Sequence, residues 1–440
     1  MFAFLSSILF SSFVFASAQV QLTMGHSVYS DMRKSSSIRG YVPSGTILDV
    51  QEVRAGKDCH RGWAVVDGGY LCLEETQWSS STIASSSSML EWEVPFPSHP
   101  DSEIYRTVQW QPEKSFETLM PRVHARIRTG YRGRLWSSAE AYENGERPNW
   151  RLKDERDYSF VDVIETKKGF VLQRPNGRVT PLEEWEVYPV SRFEGRNLLL
   201  DPIPTGYLAA WVVEKEDVFV YTHPLEDTSY LSTSHWEVFF QESLHVRPYN
   251  DFYYIMEDVF GTGKHGYIEK DKLAVWNEMP IPQGVRDDEI WIDIDIEQQV
   301  LALRQGEETL FVTLISSAKE EFETPTGLFR IYKKAYMWDL ASKPDAEEQY
   351  FIESVPWVMH YFPRYAIHTA FWHADFGIPS SHGCINMSPR DVQIVFDSVE
   401  PKLPEGWNRV ERYSGESGSL IRIREGSDTL VPNRIIRDSN

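Results

Sequence analysis

Ile290-Trp291-Ile292-Asp293-Ile294-Asp295-Ile296 alternates isoleucine with Trp and Asp, the period-two pattern of a strand that buries one face and wets the other. Outward from it, Val300 to Arg304, the turn Gln305-Gly306-Glu307 and Thr309 to Ile315 read as a hairpin. Thr324-Pro325-Thr326-Gly327 is a turn that feeds a further strand, Leu328 to Tyr332. Trp357, Met359 and Tyr361 alternate on another strand and read as core ahead of substrate contacts, a second reading kept for Tyr361, and His360 reads as core. Ser388 is an N-cap with Pro389 at the first helical position, and Val392, Val395, Phe396 and Val399 recur at helical spacing. The expected fold class is mainly β, with a C-terminal mixed sheet, few helices and smaller β-rich modules before it.

Those modules carry weaker patterns. Residues 19–78 read as a small β-module, with Gly40 to Val50 and Gly69 to Leu73 as short strands. It resembles the SH3-like modules of secreted bacterial proteins. The Ser-rich stretch 79–89 reads as a flexible linker. Residues 90–282 hold many short aromatic strands, among them Tyr158 to Ile164, Gly206 to Val213 and Asp217 to Tyr221. Gly266-Tyr-Ile-Glu-Lys-Asp-Lys-Leu-Ala-Val-Trp276 echoes Gly69-Tyr-Leu-Cys-Leu-Glu-Glu-Thr-Gln-Trp78, the mark of a repeated unit or of chance. Pro280-Ile281-Pro282 reads as a second linker. The last domain is set at 288–425, with Lys343 to Glu348 as a solvated loop rather than a lid.

Across 440 residues, 44 Lys and Arg face 65 Asp and Glu, a net charge of −21. Nucleic acid is excluded as a partner, because neutralising phosphates takes a cationic surplus. Residues 1–18 place an apolar and hydroxyl run before Ala16-Ser17-Ala18 and read as a secretory signal peptide, a buried strand or helix being the competing reading. No later stretch is long enough to span a bilayer.

Three cysteines are present. Cys59 and Cys72 read as one disulfide, with two buried thiols as the alternative, and a bridge over so short a loop contributes about 3 kcal/mol. Cys384 stands alone among histidines, in Ala366-Ile-His368-Thr369 and Ser381-His382-Gly383-Cys384-Ile-Asn386, with Trp372 and His373 between. A thiol becomes a nucleophile where an imidazole takes its proton, and Gly383 leaves backbone N–H groups open toward a developing oxyanion. The histidine spacing matches no zinc motif, so no metal is expected.

The Ser381-His-Gly-Cys-Ile-Asn386 segment, with His368 upstream, the Ile290-Trp-Ile-Asp293 strand, the Thr324-Pro-Thr-Gly327 turn, and the Trp372-His373 and Phe376-Gly377 pairs, resembles the L,D-transpeptidases with their YkuD-type catalytic domain. The resemblance implies Cys384 as nucleophile and His368 as general base, oriented by the Thr369 carbonyl. It implies an oxyanion hole from the N–H groups of Gly383 and Cys384 with His382 assisting, and Ser381 and Asn386 shaping the loop. Tyr361, Trp372, His373 and Asn386 are the expected substrate contacts. Thr369-Ala370 departs from the glycine that follows the base histidine in many members. The implied reaction joins peptidoglycan stem peptides by 3→3 links through a thioester, with no cofactor, in the periplasm or cell envelope. Hydrolysis by the same cysteine as an L,D-carboxypeptidase, or a non-enzymatic envelope-binding protein whose modules engage other envelope proteins, are the alternatives.

Overall fold

The computed structural model describes residues 18–22, 24–73, 78–80, 120–154, 156–224, 235–257, 259–343, 346, 349–413 and 417–427. The leader read at 1–18 lies outside them save Ala18, as do the Ser-rich linker beyond Ser80 and most of Lys343 to Glu348. The architecture is mainly β, and among the described residues two α-helices occur, Ala139–Glu143 and Pro389–Ser398. No helix among them is long and apolar enough to cross a membrane. The chain divides into two compact units, Met1–Glu93 with Pro404–Asn408, and Val94–Leu403 with Arg409–Asn440.

In the first unit, strand Ala18–Leu22 pairs with both Ile47–Val50 and Trp78–Ser80, so the chain returns to its start. Cys59 and Cys72 form a disulfide. It packs with the fully buried Trp63, whose indole meets the Tyr29 ring edge-on at 5.5 Å.

The second unit begins with two modules closed the same way. Strand Val123–Ile127 pairs with Trp185–Val187, which follows a 3₁₀ turn, Leu182–Glu184. Strand Leu208–Val212 pairs with Leu273–Val275, which follows the 3₁₀ turn Lys270–Lys272. The echo read between Gly69 and Gly266 falls on two strands, Gly69–Cys72 and Gly266–Glu269, each paired antiparallel with the strand before it. The module at 120–187 carries the same ending on Val179–Pro181, where no Gly-aromatic pair announces it.

The C-terminal region packs two sheets around one core. In the first, Gly327–Arg330, Leu420–Arg424, Ile290–Asp295, Val300–Gln305 and Glu308–Leu314 lie side by side, with Leu420–Arg424 parallel to Ile290–Asp295. In the second, Phe351–Phe362 runs between Lys333–Ala341 and Tyr365–Thr369, and Ile385–Met387 adds in parallel. Ile292, Ile294, Phe329, Met359 and Ile385 share the core between them.

One expectation fails at the opening strand. Its Trp and Asp face is buried as completely as its isoleucine face. Asp293 accepts from Arg422 Nε at 2.8 Å and Arg424 Nε at 3.3 Å, and Asp295 accepts from Arg424 at 2.6 Å. Carboxylates enter a core when paired and hydrogen-bonded, and here the parallel strand supplies the cations. The Pro280-Ile281-Pro282 stretch is no free tether, because Arg422 donates to the Pro280 carbonyl at 2.6 Å and Arg304 to Met279 at 2.8 Å.

The helix Pro389–Ser398 follows its sequence cues. Ser388 Oγ accepts from Asp391 N at 3.3 Å, and Val392, Val395 and Phe396 are buried. Asp391 in its first turn accepts from Gly195 N at 3.0 Å and Thr313 Oγ1 at 2.5 Å, while burial raises its pKa to about 6. The buried Lys334 donates to the Phe396 and Val399 carbonyls at 2.5 and 2.9 Å, satisfying acceptors at the helix C-terminus, while burial lowers its pKa to about 7.

Candidate active site

The parallel pairing of Tyr365–Thr369 with Ile385–Met387 builds the site. Its register sets His368 opposite Asn386 and Ile367 opposite Ile385, which brings Cys384 level with Ala366. Side chains two apart share a sheet face, so the register carried one residue back to Cys384 sets it on the same face as His368, although they lie sixteen positions apart in sequence.

His368 is buried, and its Nδ1 lies 2.8 Å from the Thr369 carbonyl. A carbonyl only accepts, so Nδ1 carries the proton and Nε2 keeps its lone pair. Burial lowers the imidazole pKa to about 4, against the raising effect of the Thr369 bond. Cys384 is a free thiol, half-buried, with Sγ 3.8 Å from the Arg364 carbonyl. Arg364 holds φ +71 in the tight turn before Tyr365, a left-handed conformation unusual for an arginine. Burial pushes the thiol pKa up to about 11, with a backbone hydrogen bond at Ala366 opposing. At neutral pH both partners are uncharged.

The cysteine loop is tied at Ser381 and Gly383, before the thiol. Ser381 N donates to Ser317 O at 2.9 Å, and Ser381 Oγ donates to Cys384 O at 2.6 Å. Thr324 Oγ1, from the Thr-Pro-Thr-Gly turn, donates to Gly383 O at 3.0 Å. Gly383 holds φ +125, and a Cβ there would lie 2.8 Å from the Tyr365 ring and 3.0 Å from Glu323 O. Its N–H donates to Ser381 Oγ at 3.0 Å. That donor is therefore engaged in this structure, contrary to its expected freedom for an oxyanion.

The remaining expected residues divide. Tyr361 is 1% exposed and packs against Phe329 at 5.3 Å, so it belongs to the core instead of a substrate surface. Asn386 is buried as well, with Nδ2 3.1 Å from His373 Nε2, and orients that ring. Burial holds the His373 pKa near 4. Trp372 is half-buried with its ring 5.8 Å from that of His368. His382 is exposed and meets Phe322 edge-on at 4.5 Å and Tyr350 at 5.4 Å, making an aromatic rim of which sequence reasoning named only the histidine.

The two modules of this unit also hold the segment between His368 and Cys384. His124 stacks on Phe371 at 3.9 Å, and Tyr188 approaches that ring at 5.5 Å. From the other module, Gln241 Nε2 donates to the carbonyls of Ala374 at 2.7 Å and Phe376 at 3.0 Å, and Lys215 pairs with Asp375 at 2.8 Å. The module at 120–187 is seated on strand Phe351–Phe362 by the Arg174–Glu353 pair at 2.7 Å and by Arg122 on Ser354 Oγ at 3.1 Å. Nothing in the spacing of these residues foretold the contacts.

A mixed-sheet domain with a free cysteine beside a tautomerically fixed histidine is the class that fold and site define. Residues 289–411 match the YkuD family model, described as the L,D-transpeptidase catalytic domain. It is 21% identical over 128 residues, 26% of its length, to YciB of Bacillus subtilis, a protein whose name gives L,D-transpeptidase as a provisional assignment. The match spans 63% of YciB, less than two thirds of it. Similar solved structures include the catalytic domain of the Enterococcus faecium L,D-transpeptidase, at 22% identity over 31% of this chain and 98% of that one, TM-score 0.25. Another is L,D-transpeptidase 3 of Mycobacterium tuberculosis with a faropenem-derived adduct, at 15% identity over 37% and 74%, TM-score 0.26.

Proposed function

We propose that this chain is a cell-envelope L,D-transpeptidase in which Cys384 is acylated by a peptidoglycan stem peptide and passes the acyl group to an amine of a second stem. The observation that carries the reading is the free Cys384 thiol on the same sheet face as His368, whose Nδ1 is pinned and whose Nε2 is left as a base. As Sγ attacks the carbonyl of the third stem residue, its proton moves to Nε2 and an S–C bond forms. The imidazolium returns that proton to the departing D-alanine nitrogen as the C–N bond breaks. An amine then attacks the thioester, giving a 3→3 link and restoring the thiol. With the Gly383 N–H engaged by Ser381, the Cys384 N–H is the primary oxyanion donor in this reading. The β modules, read as SH3-like, wall the site by fixing the segment 369–377, and export past a leader at 1–18 brings the enzyme to its substrate.

The direct test is intact-mass analysis of the protein with a stem tetrapeptide ending in D-alanine, followed by peptide mapping. The expected result is a tripeptide acyl adduct on Cys384 with D-alanine released. Absence of any adduct on a thiol that a maleimide still titrates would overturn the reading.

Gly383→Ala probes the loop. The added methyl meets the Tyr365 ring and must hold φ +125, a conformation costing on the order of 1–3 kcal/mol for a non-glycine residue. The acylation rate should fall by about 100-fold, the usual penalty for displacing a reacting group by an ångström. Single-turnover adduct formation measures it, and an unchanged rate would remove Gly383 from the positioning of the thiol.

A further inference from the structure

Tyr350 has a second side. Beyond it lies a cavity of about 450 Å³ between the module at 120–187 and the C-terminal sheet, lined by Arg126, Arg128, Tyr131 and Asp157 on one wall and Gln349, Tyr350 and Phe351 on the other. Arg126, in the strand Val123–Ile127, and Arg128, just past its end, both line this cavity.

Each guanidinium is held by one edge. Arg126 gives Nε and one terminal nitrogen to Asp157 at 2.9 and 3.1 Å, and Arg128 gives Nε to the Trp185 carbonyl at 2.8 Å. The charge of Arg126 is answered by Asp157, which also accepts from the Tyr188 hydroxyl at 2.7 Å. Asp154, on the same cavity, is answered by Arg151 at 2.8 Å. Arg128 has no carboxylate partner among the described residues, and neither has Arg156, whose guanidinium lies 4.4 Å over the Phe351 ring. In a chain of net charge −21, the cavity wall balances two arginines with two aspartates, but Asp157 is taken by Arg126 and Asp154 by Arg151, so the Arg128 fork beside flat aromatic walls fits a carboxylate ligand. An arginine fork anchored on one edge presents its remaining N–H groups already oriented, which favours planar carboxylates.

Tyr350 joins this cavity to the thiol. Its ring is 5.4 Å from that of His382, two residues before Cys384. Resting on the acyl-transfer reading above, we propose that the cavity is a subsite for the carboxylates of a stem peptide drawn to Cys384, so that the module at 120–187 binds substrate as well as supporting the site.

The test is calorimetric titration of the full chain, made unreactive by Cys384→Ser, with two peptides. One is a tetrapeptide whose side-chain amine is acetylated, able only to donate, and the other a tripeptide without D-alanine, able only to accept. Arg128→Glu should weaken Kd for at least one of them by about tenfold or more, the value of a lost charge-assisted hydrogen bond. Loss confined to the first peptide assigns a donor subsite, and loss confined to the second an acceptor subsite. Gln349→Glu puts a negative charge on the opposite wall, where the native side chain donates to the Lys343 and Ala346 carbonyls. It should weaken the same peptide, which separates charge recognition from damage to the module. Unchanged affinity for both peptides in both variants overturns the subsite. The outcome stands apart from the adduct experiment: a missing adduct in the native protein sinks acyl transfer, whereas these titrations report on the cavity alone.

Discussion

Cys384→Ala should form no adduct with a stem tetrapeptide and show no turnover, and His368→Ala should slow adduct formation by about 10²–10⁴-fold, the usual worth of a positioned general base. The two variants differ in kind, since one removes the atom that forms the bond and the other only the acceptor of its proton. The pH dependence should reveal the resting state of the pair. Burial places the His368 pKa near 4 and that of Cys384 near 11, so between those values the thiol keeps its proton and the imidazole is neutral. Acylation should therefore be flat through neutrality and fall on an acid limb near pH 4, where protonation removes the base. Alkylation of Cys384 by iodoacetamide at pH 7 should run about 100-fold slower than that of a free thiol, because the thiolate is scarcer by two powers of ten. Rapid alkylation at pH 6 would instead show a thiolate–imidazolium pair. A neutral buried imidazole also has a stability consequence: its folded pKa lies below the ordinary 6.5, so its contribution is complete above that value and is lost as pH falls toward 4.

Asp293→Ala is expected to be the most destabilising single change in the C-terminal sheet. Asp293 is fully buried and holds two guanidinium groups, those of Arg422 and Arg424, which are themselves buried. Removing it leaves cations without their counterion in the core, a loss of about 3–5 kcal/mol. Arg424 keeps Asp295, so the greater burden falls on Arg422, left with the Pro280 carbonyl. Chemical denaturation followed by tryptophan fluorescence would register the change, since the buried Trp291 lies 5.3 Å from the Arg422 guanidinium. A midpoint equal to that of the native chain would mean that Asp295 and the backbone carbonyls already neutralise both arginines.

Much of this was legible locally. The strand at Ile290, the hairpin after it and the helix capped by Ser388 are set by patterns within a few residues of one another, and sequence periodicity reads such patterns well. The pairing of His368 with Cys384 was legible only through family resemblance. What escaped was everything that depends on a distant partner. The alternation of Ile and Asp implied a wet face, because the arginines that dry it come from Arg422 and Arg424, about 130 positions on. Tyr361 was ambiguous because an alternating aromatic has the same signature whether its face meets a core or a cleft. The engagement of Gly383 N–H by a side chain two residues earlier leaves no compositional trace, and neither does the stacking of His124 on Phe371.

The stretch of chain that matches the family begins at residue 289, yet the segment joining base and nucleophile leans on His124, Tyr188, Lys215 and Gln241. Severing the protein at the family boundary would thus be an amputation and not an untethering. It would strip the aromatic lining from one flank of Phe371, leave Glu353 facing water without its arginine, and free the 374–377 backbone, so that the structural unit around the cysteine reaches back to about residue 120.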